Sequence, residues 1–281
     1  MTRISAVTGA SRGIGRATAM KLAQGGDRVF ALGRSEASLR ELAAEAGRNG
    51  LDVIPLVMDV ADEASRRNAS SSIMEATAGH GLDLLVNNAG YGQMGPLEEV
   101  STEQLRRQFE VHVVGVLAFT QPFLPGMRER RHGAIVNVSS VAGRVVSPFG
   151  GAYAASKFAL EAISDALRLE LSPFRVRVIL IEPGPIRTGF RETARAATVQ
   201  NSASPYADFV QRFEHGRKGW YRFEDSPESV ARTIVRASRS KHPRVRYTIT
   251  LPAKVTGIAR RLVPDWVMDW VLHRAMGFGG R

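Results

Sequence analysis

The chain has 281 residues, and 44% of them are apolar, which is enough for a hydrophobic core in one large domain or two small ones. It contains no cysteine, so disulfide scaffolds, thiolate catalysis and cysteine-ligated metal sites are excluded, and a reducing compartment fits. The net charge is +11, and residues 212–281 hold 15 Lys and Arg against 6 Asp and Glu, which is typical of a solvated basic face or of a surface that meets nucleic acid, an anionic membrane or an acidic partner.

Short apolar runs rich in Val, Ile and Leu alternate with longer helical patterns through the first 180 residues. The strand-like runs are 4–7, 28–32, 53–57, 82–86, 134–138 and 176–181. The helical patterns between them are 14–24, 37–47, 63–78, 102–124 and 152–171. Because Val, Ile and Leu run almost continuously through these segments, they predict strands that are buried on both faces. The sequence therefore predicts an α/β fold, a doubly wound and mainly parallel Rossmann-type sheet with helices on both faces.

The βα pattern stops after the sixth predicted strand. Residues 186–225 are polar with poor periodicity, and so long a stretch inside a compact domain is typical of a lid or a binding element. A capped helix over 226–238 and an alternating strand over 244–251 follow. We therefore expect a single dinucleotide-binding catalytic domain over residues 1–281, with a substrate lid inserted at 186–225.

The C-terminal extension, residues 252–281, is amphipathic and basic, and Pro264 should divide it. Trp266 and Trp270 lie beside arginines, as in helices that rest on an anionic membrane surface, so a peripheral membrane contact is one interpretation. The competing interpretation is that the extension covers the substrate cleft or a neighbouring subunit. No apolar run approaches the length of a membrane span and no signal peptide is evident, so we expect a cytoplasmic protein, with or without membrane association.

A glycine-rich turn joins the first predicted strand to the first helix, with the sequence Thr8-Gly9-Ala10-Ser11-Arg12-Gly13-Ile14-Gly15. Glycines let the backbone turn tightly and let a diphosphate approach the helix N-terminus, where free N–H groups and the helix dipole favour anions. The spacing G-x-x-x-G-x-G differs from the commoner G-x-G-x-x-G fingerprint. Its place after the first strand of a βα alternation nevertheless predicts a nucleotide site.

The second predicted strand runs into Gly33 and Arg34, where an NAD site usually has an acidic residue that accepts from the ribose hydroxyls. Here a guanidinium is present instead, and Arg12 in the glycine turn adds a second cation. Arginine can hold a ribose 2′-phosphate through two hydrogen bonds. The residues therefore favour NADP(H) over NAD(H), although a surface cation at a helix start would show the same pattern.

Tyr153 and Lys157 lie four residues apart at the head of the predicted helix 152–171, so their side chains share one face. An ammonium beside a phenol stabilises the phenolate, so we expect the pKa of Tyr153 to lie well below its usual value of about 10. Such a phenol can exchange a proton near neutral pH. The spacing also arises by chance on surface helices, so its meaning depends on the motifs that precede it.

Together these motifs resemble the short-chain dehydrogenase/reductase family over roughly residues 3–190. The matching motifs, in chain order, are Thr8-Gly9-x-x-x-Gly13-x-Gly15, Asp59-Val60, Asn87-Asn88-Ala89-Gly90, Ser139-Ser140, Tyr153-x-x-x-Lys157, and Pro183-Gly184 followed by Thr188. The resemblance implies an oxidoreductase in which a nicotinamide cofactor performs the hydride chemistry and the protein supplies position and charge.

The resemblance also implies a role for each matched residue. Ser140 would hold the substrate oxygen, Tyr153 would exchange a proton with it, and Lys157 would bind the nicotinamide ribose and depress the pKa of the tyrosine. Asp59 would meet the adenine amino group, and Asn87 with its neighbours would steady the central strand. The full set of cofactor-binding residues expected from the turn and the resemblance is Gly9, Ser11, Arg12, Gly13, Ile14, Gly15, Arg34, Asp59, Val60, Asn87, Ala89, Gly90, Tyr153, Lys157, Pro183, Gly184, Ile186 and Thr188.

The chain departs from the family pattern at His112, where relatives usually have an asparagine that shapes the helix and helps to hold a water in the proton relay. Histidine can also donate and accept, so His112 is a fourth catalytic candidate. A packed core histidine and an impaired site are the alternatives. The remaining histidines show no metal-ligand spacing, and we predict no catalytic metal.

Apolar residues lie where substrates of this family enter, among them Met94 and Phe149. The predicted lid adds six aromatic residues, Phe190, Tyr206, Phe209, Phe213, Trp220 and Tyr221. They predict an apolar wall for a lipophilic substrate, although aromatic residues in a lid also pack on one another.

The predicted helices 102–124 and 152–171 carry apolar residues on more than one face, which predicts contacts between subunits. The interface candidates are Phe158, Ala159, Ala162 and Leu169. The resemblance implies a homodimer or homotetramer built on these helices. We expect a small carbonyl or alcohol substrate and no nucleic-acid partner.

The sequence thus predicts an NADP(H)-dependent dehydrogenase/reductase that interconverts a ketone or aldehyde and an alcohol, with Tyr153 as general acid and base. The C-terminal part looks most like relatives that act on steroids, retinoids or other lipids. A 3-oxoacyl-thioester reductase would share every catalytic residue. A non-catalytic NADP-binding regulatory protein would keep the fold without turnover.

Overall fold

The architecture is a parallel sheet of seven strands with helices around it, in a computed structural model that describes residues 2–198, 203–217 and 219–275. The strands are β1 (Ile4–Thr8), β2 (Arg28–Gly33), β3 (Val53–Val57), β4 (Leu84–Asn87), β5 (Gly133–Val138), β6 (Val176–Pro183) and β7 (Arg246–Ile249). Their order is β3-β2-β1-β4-β5-β6-β7, and every neighbouring pair is parallel. The predicted fold class is confirmed.

The helices follow the strands in the expected rhythm. They are α1 (Gly13–Gln24), α2 (Glu36–Arg48), α3 (Glu63–Ala76), α4 (Thr102–Phe109), α5 (Gly115–Thr120), α6 (Leu124–Glu129), α7 (Gly151–Leu171), α8 (Phe190–Ala196), α9 (Ala207–Arg217), α10 (Pro227–Arg239), α11 (Leu251–Leu262) and α12 (Asp265–Ala275). Side-chain caps define several starts, such as Ser35 at α2 and Asp62 at α3, each of which accepts from a backbone N–H three residues on.

Two hydrophobic cores cover the two faces of the sheet, because successive strand residues point to opposite faces. In β1, Val7 belongs to the core that contains Leu22 of α1 and Ile234 of α10. Its neighbour Ala6 belongs to the other core, with Phe119 of α5. Each fully buried Leu, Ile or Phe contributes roughly 1.5–3 kcal/mol to folding. Burial on both faces explains why the inner strands are mostly apolar.

The strand order places the ligand-binding end of the sheet. From β1 the chain moves outward to β2 and β3, then returns so that β4 pairs with the other side of β1. Connections therefore leave β1 and β4 in opposite directions at their carboxyl ends. In open α/β sheets that divergence creates the crevice in which ligands bind.

The stretch predicted as one helix over 102–124 is interrupted twice. A π-helical turn, Glu110–Val114, separates α4 from α5, and a 3-10 turn, Gln121–Phe123, separates α5 from α6. Pro122 and Pro125 are tolerated because each stands in the first turn of a new helical segment. Apolar periodicity continues through both interruptions, so the sequence pattern alone did not reveal them.

The lid segment, residues 186–225, holds more regular structure than its sequence predicted. It contains α8, α9 and a 3-10 turn, Trp220–Phe223. In the extension, α11 ends at Leu262 and α12 begins at Asp265, so the break expected at Pro264 is confirmed. In the described part of the chain, no helix combines the length and apolarity that crossing a membrane requires.

Candidate active site

A cavity of about 740 Å³ lies at the carboxyl ends of β1, β4, β5 and β6. Of the predicted catalytic and cofactor-binding residues, all but Gly15 and Asn87 line it; Met94 lines it too, whereas Phe149 does not. Asn87 instead donates from Nδ2 to Asn137 Oδ1 at 2.9 Å and to Thr120 Oγ1 at 3.1 Å, which ties β4 to β5 and α5. The fold therefore brings the scattered motifs to one place.

The glycine turn is locked to the segment that follows β4. Thr8 Oγ1 accepts from the Asn88 and Ala89 N–H groups, both at 3.0 Å, and Asn88 Nδ2 donates to Thr8 O at 3.0 Å. Gly9 has a φ of +67°, in the left-handed region that favours glycine. A Cβ on Gly15 would lie 2.2 Å from Gly9 O, so Gly15 is required for the packing of the turn itself.

The donors around this turn fit a dinucleotide diphosphate. Helix α1 starts without a side-chain cap, so N–H groups of its first turn can bind an anion. Gly13, with a φ of +54°, lines the cavity together with Ser11 and Arg12. The Arg12 guanidinium also donates to Thr193 Oγ1 of α8 at 2.9 Å, which links the turn to the lid segment.

Cationic side chains surround the part of the cavity where β2 ends. Arg34 directly follows β2 and lines the cavity, and Arg107 of α4 lines it as well. Arg107 donates to Asp59 Oδ2 at 2.9 Å. Partial burial raises the pKa of Asp59, but the Ala61 N–H and Arg107 outweigh it, so the net pKa lies below the usual value. This end of the cavity suits an anionic group such as a ribose 2′-phosphate.

Ser140, Tyr153 and Lys157 meet on the cavity wall. Ser140 precedes a short 3-10 turn after β5, with its Oγ accepting from the Ala142 N–H at 3.1 Å, and its hydroxyl lies close enough to Tyr153 to lower the pKa of the phenol. Lys157, one turn further along α7, donates from Nζ to Val138 O at 2.9 Å. Its Nζ lies 5.9 Å from the centroid of the Tyr153 ring. A hydroxyl pair and an amine are thus held next to one another.

The predicted depression of the Tyr153 pKa is wrong. Burial raises the pKa of Tyr153 to about 12, and the nearby Ser140 hydroxyl offsets only part of this effect. Burial also lowers the pKa of Lys157 to about 8, against the opposing influence of Glu161. Desolvation of the phenolate therefore outweighs the neighbouring cation. At neutral pH Tyr153 is a protonated phenol, the form that donates a proton.

His112 lies in the π-helical turn and joins two walls of the cavity. The Tyr91 N–H donates to Nε2 at 3.1 Å, so the ring proton is on Nδ1, which faces Ser156 Oγ at 3.0 Å. Ser156 donates in turn to the Tyr153 backbone oxygen at 2.7 Å. Burial, with a further contribution from Lys157, holds the pKa of His112 well below its usual value, so the ring is neutral. A proton-relay role for His112 stays a prediction.

Two glutamines extend this network to the lid segment. Gln108 accepts from the Gln93 N–H at 2.7 Å, and its Nε2 lies 3.2 Å from His112 Nε2, the acceptor nitrogen of the ring. Gln93 Nε2 donates to Ala197 O, just after α8, at 2.6 Å. Buried hydrogen bonds therefore connect the end of α8 to the helix that carries Tyr153.

Apolar side chains form the wall beyond Tyr153. Phe190 of α8 packs on the Tyr153 ring with 5.6 Å between centroids, and Phe213 of α9 also lines the cavity. Further apolar lining residues, from the loops after β4 and β5 and from α11, are Met94, Val145, Val146, Pro252 and Ala253. Such a wall favours a lipophilic group beside the reacting hydroxyls.

Other aromatic residues of the lid segment do not contribute to this wall. Among those whose side chains are described, Tyr206 and Phe209 lie outside the cavity lining. The Tyr206 hydroxyl donates instead to Glu98 Oε2 at 2.9 Å. The side chains of Trp220 and Tyr221 lie outside the described residues.

Sequence reasoning missed Arg107, Thr193 and the start of α11. An arginine on a helix surface and a threonine in a polar segment show no distinguishing pattern, because their neighbours come from distant parts of the chain. One interpretation of the sequence, that the extension covers the cleft, agrees with the position of the start of α11 on the cavity wall. A Cβ on Gly184 would lie 2.1 Å from Thr250 Oγ1, so this segment packs closely on the end of β6. Within residues 2–198, 203–217 and 219–275, no group of three or more His, Asp or Glu side chains could hold a metal ion.

Comparison with known proteins shows which family shares this arrangement. Residues 3–198 match the short chain dehydrogenase family. The chain is 35% identical over 267 residues to the uncharacterized oxidoreductase YbbO of Escherichia coli, covering 95% of this chain and 93% of that protein. It is 32% identical over 277 residues to the 3-ketodihydrosphingosine reductase of Bacteroides thetaiotaomicron, with 96% and 97% covered. To human 17-beta-hydroxysteroid dehydrogenase type 1 it is 33% identical over 258 residues, with 87% and 76% covered.

Solved structures show the same fold. A short-chain dehydrogenase from Streptomyces avermitilis gives a TM-score of 0.81 at 29% identity, covering 100% of this chain and 98% of that one. An alcohol dehydrogenase from Thermococcus sibiricus, complexed with 5-hydroxy-NADP, gives 0.73 at 26% identity, with 89% and 97% covered. A short-chain dehydrogenase/reductase from Burkholderia phymatum, in complex with NAD, gives 0.80 at 27% identity, with 93% and 92% covered.

Proposed function

The chain belongs to the short-chain dehydrogenase/reductase family, and on that basis we propose that it is an NADP(H)-dependent reductase of ketones or aldehydes with lipophilic substituents. One observation carries the proposal. The paired hydroxyls of Ser140 and Tyr153 lie between an uncapped helix N-terminus with cations on one side and an apolar wall on the other. The first side fits a dinucleotide and the second fits a lipophilic carbonyl compound.

In the proposed reaction the substrate carbonyl oxygen binds at the hydroxyls of Ser140 and Tyr153. A bound reduced nicotinamide supplies the hydride that reduces the carbonyl carbon. Tyr153, a protonated phenol at neutral pH, gives its proton to the oxygen as negative charge develops there, while Ser140 donates a second hydrogen bond. Lys157, charged below a pH of about 8, offsets the negative charge left on Tyr153. Because Tyr153 is protonated at neutral pH, it is in the form that reduction requires.

The preference for NADP(H) rests on Arg34, with Arg12 and Arg107 as further cations along the cavity. Solved relatives include complexes with an NADP derivative and with NAD, so family membership leaves the choice open. A guanidinium directly after β2 favours a ribose carrying a 2′-phosphate, because it can pair with the phosphate oxygens.

The proposed substrate class rests on Phe190, Phe213 and the apolar loops around them. One relative is named a 3-ketodihydrosphingosine reductase and another a 17-beta-hydroxysteroid dehydrogenase, so related proteins act on a long-chain ketone and on a steroid. Burial of apolar substrate surface against this wall would contribute about 25 cal/mol per Å². We therefore assign long-chain or polycyclic ketones as the first substrates to test.

Replacement of Tyr153 tests the proposal. Tyr153→Phe keeps the ring but removes the proton donor, so we expect kcat/KM for NADPH-dependent ketone reduction to fall by about 100-fold or more, since general acid catalysis contributes 10²–10⁴-fold. NADPH binding, followed by its fluorescence, should persist. Tyr91→Phe is the matched control, because Tyr91 is another phenol of the cavity wall to which the proposed reaction gives no role, and it should keep its rate within about twofold.

Two results would overturn this function. One is a Tyr153→Phe variant with the wild-type rate. The other is a wild-type protein that binds NADPH but reduces no member of a panel of long-chain, steroidal and small ketones and aldehydes.

A further inference from the structure

Buried charges lie one helical turn beyond Lys157 along α7. Glu161, which is 7% exposed, accepts from Arg246 Nε of β7 at 3.0 Å through Oε2. Glu182 of β6 is fully buried and accepts from Arg144 Nε at 2.8 Å. Arg246 Nε also lies 3.4 Å from Glu182 Oε1, so one guanidinium serves both carboxylates. The cluster takes no part in the reaction described above.

Glu161 lies one helical turn from Lys157 on the same helix. Side chains at i and i+4 of a helix lie on one face, so Tyr153, Lys157 and Glu161 form one row along α7. The second carboxylate oxygen, Oε1, is buried, and neither it nor the buried Ser139 Oγ makes a hydrogen bond within the described residues. Ser139 is nevertheless near enough to lower the pKa of Glu161. Both side chains also border Gly143, on which a Cβ would lie 2.9 Å from Ser139 Oγ.

Lys157 needs a counter-charge because it is buried. Its Nζ has the Val138 carbonyl as a hydrogen-bond acceptor at 2.9 Å, which is a dipole and not an anion. Tyr153 is a neutral phenol and His112 a neutral imidazole, so neither compensates the ammonium. Among the described residues, Glu161 is the charged group that opposes the effect of burial on Lys157.

We propose that Glu161 is a positioning residue for Lys157: its carboxylate, fixed by Arg246, is the counter-charge that keeps the lysine an ammonium in the cavity wall. The kinetic consequence rests on the proposed reductase function, in which a charged Lys157 offsets the phenolate. Strand β7 and the segment that leads into the extension thereby contribute to the catalytic electrostatics through Arg246.

The charges that face Glu161 come from three elements. Burial raises the pKa of Glu161 and Glu182 of β6 raises it further, whereas Arg246 of β7 lowers it. On α7 itself Lys157 lies one turn before it and Asp165 one turn after it. Asp165 is partly exposed and accepts from Arg246 Nη2 at 2.5 Å, so it shares the arginine with Glu161. It therefore offers a matched control.

The first test is the pH dependence of kcat/KM for ketone reduction. Reduction needs the ammonium, so activity should be full below the pKa of Lys157, about 8, and decline above it. Glu161→Gln removes the opposing charge, so the decline of kcat/KM at high pH, the alkaline limb, should begin about one pH unit lower than in the wild type. Above the new midpoint kcat/KM should be about tenfold lower than in the wild type, and at lower pH it should change little. Glu161→Asp, which retains the charge, and Asp165→Asn should keep the wild-type limb.

A uniform loss at every pH in Glu161→Gln would mean that Glu161 only packs the core, and would overturn the proposal. An equal displacement of the limb in Asp165→Asn would overturn it as well, because the effect would then belong to the arginine or to the overall charge of α7.

The second test does not need turnover. The chain has five lysines, so the ε-carbon resonances of ¹³C-labelled lysine can be followed by NMR, with Lys157 assigned by its loss in Lys157→Arg. The apparent pKa of Lys157 should be lower in Glu161→Gln than in the wild type, and the other lysines should be unchanged. If the wild type reduces nothing, the proposed function fails while this titration still decides the role of Glu161. If the Lys157 titration is the same in both proteins, the proposal for Glu161 fails whatever the activity.

Discussion

At the scale of single residues, the proposed preference for NADP(H) rests on the positive charge that follows β2. Arg34 lines the cavity, and its positive charge lowers the pKa of Asp59, which also accepts from Arg107. A 2′-phosphate would add negative charge beside these guanidiniums, and charge-assisted hydrogen bonds contribute about 1.5–3 kcal/mol each. A free ribose hydroxyl would gain no such contact.

We therefore expect Arg34→Glu to reverse the cofactor preference. The carboxylate repels the 2′-phosphate and accepts from the ribose hydroxyls of NADH. The ratio of kcat/KM with NADPH to that with NADH should fall by about 10- to 100-fold, as expected for the loss of one or two charge-assisted contacts. Arg40→Glu is the control, because Arg40 is an exposed cation of α2 that pairs with Glu36 and should not affect the ratio. An equal loss with both cofactors would contradict the assignment of Arg34.

The sequence predicted that the site residues lie together in one cavity, but it did not predict their ionisation. The spacing of Tyr153 and Lys157 predicts that they share a helix face, and the motifs predict that Ser140 lies beside them. The direction of the Tyr153 pKa shift depends on how completely the phenol is buried, and that burial is produced by Phe190 and other distant residues. The partners of His112 likewise come from other elements, so its neutral state and its proton on Nδ1 follow from the folded structure alone.

At the scale of elements, the sheet was predictable and the irregular helices were not. Strands buried on both faces must be apolar throughout, and this requirement produces a pattern that few other structures share. The π-helical turn Glu110–Val114 leaves no such pattern, because it adds one residue to a helix whose apolar face continues. The helices α8 and α9 are short, and contacts with Arg12, Gln93 and the cavity stabilise this segment. The local sequence pattern does not show these contacts.

Helix α7 presents a second face that the described residues of the chain leave exposed. Phe158 is 42% exposed and Leu169 is 62% exposed, and the small residues Ala162 and Ala166 between them are exposed too. These positions recur at three- and four-residue intervals, so they form one apolar stripe. Tyr153 and Lys157 lie on the buried side of the same helix. A second copy of this chain is the partner that we propose for the stripe, since homo-oligomers most often use a two-fold interface.

Charges on this stripe should dissociate the proposed oligomer. In the variant Phe158→Glu/Leu169→Glu, association would bury two carboxylates in an apolar contact, which costs several kcal/mol. Sedimentation velocity should show a dimer or tetramer for the wild type and a monomer for the variant, with unchanged circular dichroism. Val57→Glu is the control, because Val57 is 54% exposed but lies on the edge strand β3. An oligomer of unchanged mass in the double variant would exclude this face as the interface.

At the scale of the whole molecule, the basic extension connects the cavity to an exposed apolar surface. Pro252 and Ala253 at the start of α11 line the cavity. Farther on, Trp266 is 74% exposed and Trp270 is 60% exposed, with Arg274 stacked 5.8 Å from the Trp270 ring centroid. The side chains of Arg260 and Arg261, which the sequence also assigned to this basic surface, lie outside the described residues. Composition located the excess charge in the last quarter of the chain, but which face the tryptophans present depended on how α12 packs.

The exposed tryptophans beside basic residues lead us to expect that the protein binds anionic membranes peripherally. Wild-type protein should float with vesicles of mixed phosphatidylcholine and phosphatidylserine and not with phosphatidylcholine alone, and added salt should weaken the binding. Trp266→Ala/Trp270→Ala removes the apolar contact without disturbing the cavity wall. The affinity of this variant for the vesicles should fall by at least about tenfold, because each Å² of apolar surface withdrawn from water contributes about 25 cal/mol. Val57→Ala, an exposed apolar residue of β3, should float like the wild type. If the wild type does not float and the double tryptophan variant instead changes its sedimentation mass, the face of α12 contacts a neighbouring subunit and not a membrane.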